Sequence, residues 1–288
     1  MIRKDLVTNN ATSCPAFSSS IFLLPIQLTG TVGGNLSMGH VHPAVHYTLP
    51  SSFATTTNPV YMVSTVVPPS STYKVWRVKN AATGNPTVSV LSLSAGNVYE
   101  MPTGARQPTG GVAVLDINDA RIMQVTAVGD TLWATHQTVC DQPDEVSPFN
   151  KPCVRAMRFS VGETNNSMTA AIQHDVTFAS PEFSADLAYY MPGIAVNSSQ
   201  QTAISFLASS PIMYQSAAWT LKYSLDQVYA AATVFAAGSC ARSKPKVGDY
   251  VGAHTNPNDL VSFWLAGEAA ALSGQGCNWR TQVIQVTP

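Results

Sequence analysis

The chain has 288 residues and a formal net charge of −1, with 11% charged side chains where about a quarter is usual. Its polarity comes from Ser, Thr, Asn, Gly and Pro, a composition common in secreted β proteins and poor for long solvated helices. No basic run gives it the footprint of a nucleic-acid binder, and no stretch of about 18 apolar residues gives it a helical membrane span.

At the start, Arg3 and Lys4 are followed by Asp5, and the apolar run Ile21 to Leu24 is cut by Pro25, so no signal peptide is recognisable. Ile2 to Val7 reads as the middle of a strand and Ile21 to Leu28 as the next one. The expectation is therefore a chain that lacks its natural beginning. A first unit then runs through Val41 to Tyr47, Pro59 to Val67, Tyr73 to Val78 and Thr87 to Leu93, the third with clean period-two alternation. A second unit holds Leu115 to Arg121 continuing into Ile122 to Val128, a hairpin turn at Gly129-Asp130, Thr131 to His136, Val154 to Val161 and Ala171 to Phe178. A third comprises Met191 to Val196, a turn at Asn197-Ser198-Ser199, Ala203 to Leu207, Ala217 to Tyr223 and Val228 to Phe235. The last offers three strands, at 249–255, 261–269 and 279–286.

First strands thus begin near 41, 121, 191 and 248, spaced by roughly 55–80 residues. Tandem four-stranded antiparallel units with long connections predict an all-β chain, a single β-propeller domain over 1–288 with about four and a half blades visible. A β-sandwich, the rival, needs even strand spacing without this grouping. Five cysteines are present, and none makes a CxxC or a zinc-finger set with histidine. Cys140 and Cys153 flank a Pro- and Asp-rich loop, and Cys240 and Cys277 lie in loops around the last unit. Each pair could form a disulfide, which would leave Cys14 over and point to an extracellular compartment; scattered buried thiols are the alternative. Asn10, Asn35, Asn165 and Asn197 fit the glycosylation acceptor pattern, which a Ser/Thr-rich chain also matches by chance.

Gly248-Asp249-Tyr250, Asn256-Pro257-Asn258-Asp259, Phe263-Trp264, Gly267-Glu268 and Asn278-Trp279-Arg280-Thr281 together resemble the closing blade of secreted, sialidase-like (BNR-like) β-propellers. Asp116-Ile117-Asn118-Asp119-Ala120-Arg121 with Leu132-Trp133-Ala134-Thr135-His136 is similar to another blade of that family. So is Tyr190-Met191-Pro192-Gly193-Ile194-Ala195-Val196 with Gln215-Ser216-Ala217. The resemblance covers residues 41–288 and departs from the family at His254-Thr255, in place of its "VD", and at Ala269, in place of a tyrosine. It implies further blades upstream of residue 1, hence an open, incomplete ring with apolar faces and unpaired strand edges at both ends.

Asp116, Asp119, Asp186 and Asp249 each precede a first strand, so several carboxylates are expected at the channel mouth. With Arg121, Tyr190 and Tyr250 they form the candidate ligand site. Clustered carboxylates need protonation, an arginine partner or a hard cation such as Ca²⁺; alternatively each caps its own loop through backbone amides. Arg106, Arg121, Arg155, Arg242 and Arg280 are the candidates for an arginine cluster holding a carboxylate ligand. His40, His42 and His46 fall on one side of a strand, as metal ligands can, although a histidine-containing loop is the plainer reading. The sialidase Asp box fails, since Ser224-Leu225-Asp226 continues into Gln227-Val228-Tyr229. The sequence identifies no two carboxylates at glycosidase spacing, although Glu182 and Glu268 are candidates. No hydrolase, zincin, phosphate-loop or dinucleotide motif is present. Trp76, Trp133, Trp219, Trp264 and Trp279 lie in strands and are expected to pack between blades. The functional expectation is a secreted propeller module that binds a glycan or a protein partner. The alternative is a sialidase-like glycoside hydrolase with part of its site on missing blades.

Overall fold

The computed structural model describes residues 42–46, 59–80, 87–140, 151–178, 187–223, 228–247, 251–274 and 276–288. Among them there are strands and no helix. The expected strands at Ile2 to Val7 and Ile21 to Leu28 lie outside the described residues, as does Cys14.

Strands β1 (His42–His46), β2 (Val60–Thr65), β3 (Ser70–Lys79) and β4 (Thr87–Tyr99) form an antiparallel sheet in chain order. A short hairpin of β5 (Ala105–Arg106) and β6 (Val114–Leu115) follows. The second sheet holds β7 (Gln124–Val128), β8 (Thr131–Val139), β9 (Pro152–Thr164) and β10 (Ser167–Phe178). The third holds β11 (Ala188–Val196), β12 (Thr202–Ser210), β13 (Met213–Lys222) and β14 (Thr233–Ala236). The last has three strands, β15 (Gly252–Thr255), β16 (Phe263–Ser273) and β17 (Gly276–Val286). Parallel pairing of β1 with β7, Ala44 opposite Val125, joins the first two sheets edge to edge.

The chain turns where its residues tolerate a left-handed backbone. Gly129 (φ 56°) serves the β7–β8 hairpin, and Asn165 and Asn166 (φ 51° and 63°) serve β9–β10. Two consecutive positive φ values match the right-handed twist of the flanking strands, and asparagine pays the least among non-glycine residues for adopting them. Asn165 is exposed at that tip, whereas Asn197 is fully buried. Its Oδ1 accepts from Ser199 N and Gln201 N, and its Nδ2 donates to Gln201 Oε1 and Val261 O. Only the first of these two acceptor motifs is open to a sugar.

Each sheet packs on the next. Tyr73 and Val75 of the first meet Val125, Leu132, Met157 and Phe159 of the second. Trp133, Val154 and Ala156 then meet Ile194, Ile204 and Phe206 of the third. Ala195, Ala203 and Leu221 meet Ala253, Phe263 and Leu265 of the last. β11 and β12 are buried at every position, as expected of strands covered on both faces, while β17 keeps an alternating, largely exposed pattern. Each fully buried large apolar side chain contributes roughly 1.5–3 kcal/mol.

First strands begin at 42, 124, 188 and 252, close to the expected positions. Two expected strands are corrected. Of the Leu115 to Arg121 segment only Leu115 lies in a strand, and Asp116 adds a single parallel bridge to Lys246; beyond it the backbone curls, as Asp116 and Asp119 accept hydrogen bonds from Asn118 N and Arg121 N. Of Val228 to Phe235, only the end belongs to β14; Ala230 N instead donates to Leu221 O, and Ala230 O accepts from Thr220 Oγ1. The hairpin β5–β6 was not expected. Both disulfides are present, Cys140–Cys153 with Cα atoms 5.0 Å apart and Cys240–Cys277 with Cα atoms 5.8 Å apart.

Candidate functional site

The expected acidic mouth is resolved in part. Asp186, Asp249 and Tyr250 lie outside the described residues, as do Glu182 and His40, and nothing is described of the His42 and His46 side chains. Asp119 Oδ1 accepts from Arg121 N (2.9 Å) and Nε (2.7 Å), and its Oδ2 pairs with Arg121 Nη2. Asp116 Oδ1 accepts from Asn118 N at 3.1 Å. Both carboxylates thus serve their own turns. Tyr190 is fully buried, its hydroxyl 3.2 Å from Ser209 Oγ, and burial pushes its phenol well above the usual range. Among the described residues no three His, Cys, Asp or Glu side chains gather as a metal site would need. Of the arginines, Arg155 is interior, held by Asp175 through bonds of 2.7 and 2.6 Å.

A different site forms beside these residues. Ala105, Leu115 and Ile117 join Tyr190, Met191, Leu207, Ala217, Val247 and Ala269 in one apolar cluster. That cluster roots hairpin β5–β6 and the segment before Val247 on the third and last sheets. The hairpin's connecting loop then grips the segment 242–246. Gln107 Nε2 donates to Arg242 O (2.8 Å) and to Val112 O (2.7 Å), while Gln107 Oε1 accepts from Arg242 N (2.8 Å). Val112 N also donates to Arg242 O (2.9 Å), and Asp116 N donates to Pro245 O (2.8 Å). So Asp116, expected as a ligand, holds the site through its backbone. Gly111 sits so close that a Cβ there would stand 2.2 Å from Arg242 O. Only a residue without a side chain permits that approach.

Held this way, the Arg242 guanidinium lies 4.7 Å from the centroid of the Trp279 ring. The disulfide fixes the pair from behind, since Arg242 and Trp279 each follow a cysteine of the Cys240–Cys277 bridge by two residues. They line an open pocket of about 780 Å³ together with Tyr214, Ser239, Lys244 and Asn278. A second cavity of about 660 Å³ adjoins it, sharing Thr109 and Gly110 and lined by Arg106 and Lys151. Among the described residues, every charged side chain in the two linings is basic. Two of the arginines read from the sequence, Arg106 and Arg242, therefore come to adjoining cavities.

The tryptophan expectation is corrected as well. Trp76 and Trp133 are buried in the sheets, but Trp264 is 41% and Trp279 53% exposed. Cross-strand register places them with Val283 on one face of the last sheet. The sequence carries a signal for the basic loop: Arg242-Ser243-Lys244-Pro245-Lys246 holds three cations in five residues, too short to register as a basic run. What the sequence could not supply is its partner, since Gln107 lies 135 residues away. No protein-family model matches the chain, and no curated protein and no solved structure matches it either.

Proposed function

We propose that the chain is a propeller-type, secreted module that holds a glycan without cleaving it. The propeller reading is supported by how the first strands gather. β1 runs parallel to β7, and on β7 the Gln124 side chain donates to Ala253 O of β15 (2.7 Å) and accepts from Ile194 N of β11 (3.3 Å). First strands that gather in this way suit blades around an axis. The likeness of the closing motifs to sialidase-like propellers belongs to the same reading, and two disulfides favour an oxidising compartment.

The observation that carries glycan binding is the half-exposed Trp279 on the wall of an open pocket. An indole clamped in that way offers an apolar plate to the C–H face of a sugar ring, and Tyr214, Ser239 and Asn278 offer hydrogen bonds to hydroxyls. Glycoside hydrolysis runs on two carboxyl groups. No Asp or Glu lines this pocket among the described residues. The test is a glycan array with a parallel assay for released reducing ends. Retention without turnover, weakened at least about tenfold in Trp279→Ala, is expected; about 1.4 kcal/mol suffices for that factor. Hydrolysis that disappears in Asp249→Ala would overturn the reading in favour of an enzyme.

A further inference from the structure

Going beyond the pocket, and taking from that reading only the secreted compartment, we propose that Asn165 is a site of N-linked glycosylation. The acceptor pattern is Asn165-Asn166-Ser167, with no proline at its middle position. Sequence alone gives Asn197-Ser198-Ser199 the same standing; the structure separates the two. Asn165 stands in the two-residue turn between β9 and β10, and every residue from Glu163 to Ser167 is exposed. Among the described residues, nothing in the protein holds the Asn165 side-chain amide. Asn197 is the opposite case. It is fully buried, and both ends of its amide are engaged: Oδ1 accepts from Ser199 N and Gln201 N, and Nδ2 donates to Gln201 Oε1 and Val261 O. A sugar there would take one of the two hydrogens that Nδ2 donates and would need space that a packed interior lacks.

The reaction is a glycosyl transfer from an oligosaccharide carried on a polyprenyl diphosphate, brought to the chain by a membrane-bound transferase. Asn165 Nδ2 attacks the anomeric carbon of the first sugar. The new C–N bond forms as the bond from that carbon to the diphosphate oxygen breaks. The polyprenyl diphosphate leaves with the electron pair, a base of the transferase takes one Nδ2 proton, and nothing is oxidised or reduced. The chain itself must supply reach: an unengaged amide, the Ser167 hydroxyl two residues on, and a tip that a bulky enzyme can approach. The tip is also remote from the cavities. β9 begins at Pro152, next to Lys151 on the wall of the second cavity, and runs 13 residues to Thr164. That is roughly 40 Å of strand, so a sugar chain on Asn165 leaves the cavities uncovered.

The test is the whole 288-residue chain secreted from a eukaryotic host and recovered folded from the medium. Its peptides are mapped after an amidase has released N-linked sugars in heavy-oxygen water, which leaves a heavy Asn165→Asp mark wherever that site carried a glycan. The expected result is the mark at position 165, absent when the amidase is omitted, and an unmodified Asn197. Asn10 and Asn35 fit the same pattern and are read from their own peptides. Ser167→Ala keeps Asn165 and its turn, and it should abolish the mark. Asn165→Gln should abolish the corresponding gel shift. Asn165 holds a φ of 51°, which glutamine tolerates less well, so Ser167→Ala decides if that variant fails to fold. An unmodified Asn165 in the secreted protein would overturn the proposal. So would a sugar on Asn197, because burial would then not govern which motif is used. A mark at position 165 that survives Ser167→Ala would overturn the acceptor motif as its basis. The glycan array tests the pocket separately, so either reading can fail without the other.

Discussion

At the scale of single residues, the polar groups inside the sheets are as specific as those at the pocket. His136 is fully buried; its Nε2 accepts from the Tyr73 hydroxyl (2.8 Å), and its Nδ1 donates to Gln137 O (3.0 Å). That pairing fixes the neutral tautomer. Burial first, and the nearby Arg155 guanidinium second, bring its pKa down to about 3. The unfolded chain protonates the same imidazole near its ordinary value of about 6.5. Stability from this residue is therefore complete above that value and is lost progressively as pH falls toward the folded pKa. His174 and His254, lowered by desolvation, act in the same direction. Urea unfolding at pH 7.5 and pH 5 should show a loss on the order of 2 kcal/mol from His136, and His136→Gln should flatten that slope. Equal stability at the two pH values would mean that the imidazole is not sealed in. The sequence showed His136 as the end of a strand, but nothing in its neighbours announced a buried hydrogen-bonded pair with Tyr73, 63 residues before it.

Strands and hairpins were legible where they are long and bounded by turn residues. β3 comes from a segment of period-two alternation, β8, β16 and β17 from long runs rich in apolar and aromatic residues, and the turns beside them carry Gly, Asn and Asp. Hairpin β5–β6 was invisible for the opposite reason. Its strands have two residues each, too few for any period, and what holds it is Gln107 and Val112 on Arg242 together with Leu115 in the apolar cluster. Nothing in the sequence around Gly110-Gly111 announces the contact with Arg242. The hairpin's dependence on that contact can be measured. Gly111→Ala puts a methyl group 2.2 Å from Arg242 O, so the loop must move away and the clamp on Arg242 must open. A loss of about 1–3 kcal/mol in thermal or urea unfolding is expected, with weaker glycan binding beyond what the stability loss explains. The disulfide behind the pair makes a second element-scale test. Cys240→Ser with Cys277→Ser releases a crosslink spanning 37 residues, which chain entropy values at about 4 kcal/mol. An unchanged melting temperature would show that the loop is held by the hairpin alone.

For the molecule as a whole, the spacing of units was readable from the sequence, and the way the units meet was not. Apolar alternation tells a strand which face to bury, but the partner face belongs to another sheet, chosen by packing between residues far apart in the chain. Gln124 is a case in point. It looked like one polar residue in an apolar strand, yet its amide joins β7 to β11 and β15, 70 and 129 residues further on. Gly193 answers it from β11: a Cβ there would stand 2.8 Å from Gln124 Oε1 and 2.9 Å from Val251 O, so the strands close up only around a glycine. Gln124→Leu keeps the bulk and removes both hydrogen bonds. The Ile194 N–H and the Ala253 C=O are then left in a dry interior, at about 1–3 kcal/mol for each orphaned group. If the second, third and last sheets unfold as one body, the variant lowers a single transition by about 2–5 kcal/mol, and fluorescence and far-UV circular dichroism move together. Two separated transitions, with only one displaced by the substitution, would show that the sheets are thermodynamically independent. A repeat whose first strands are tied to each other by side-chain amides should not divide in that way.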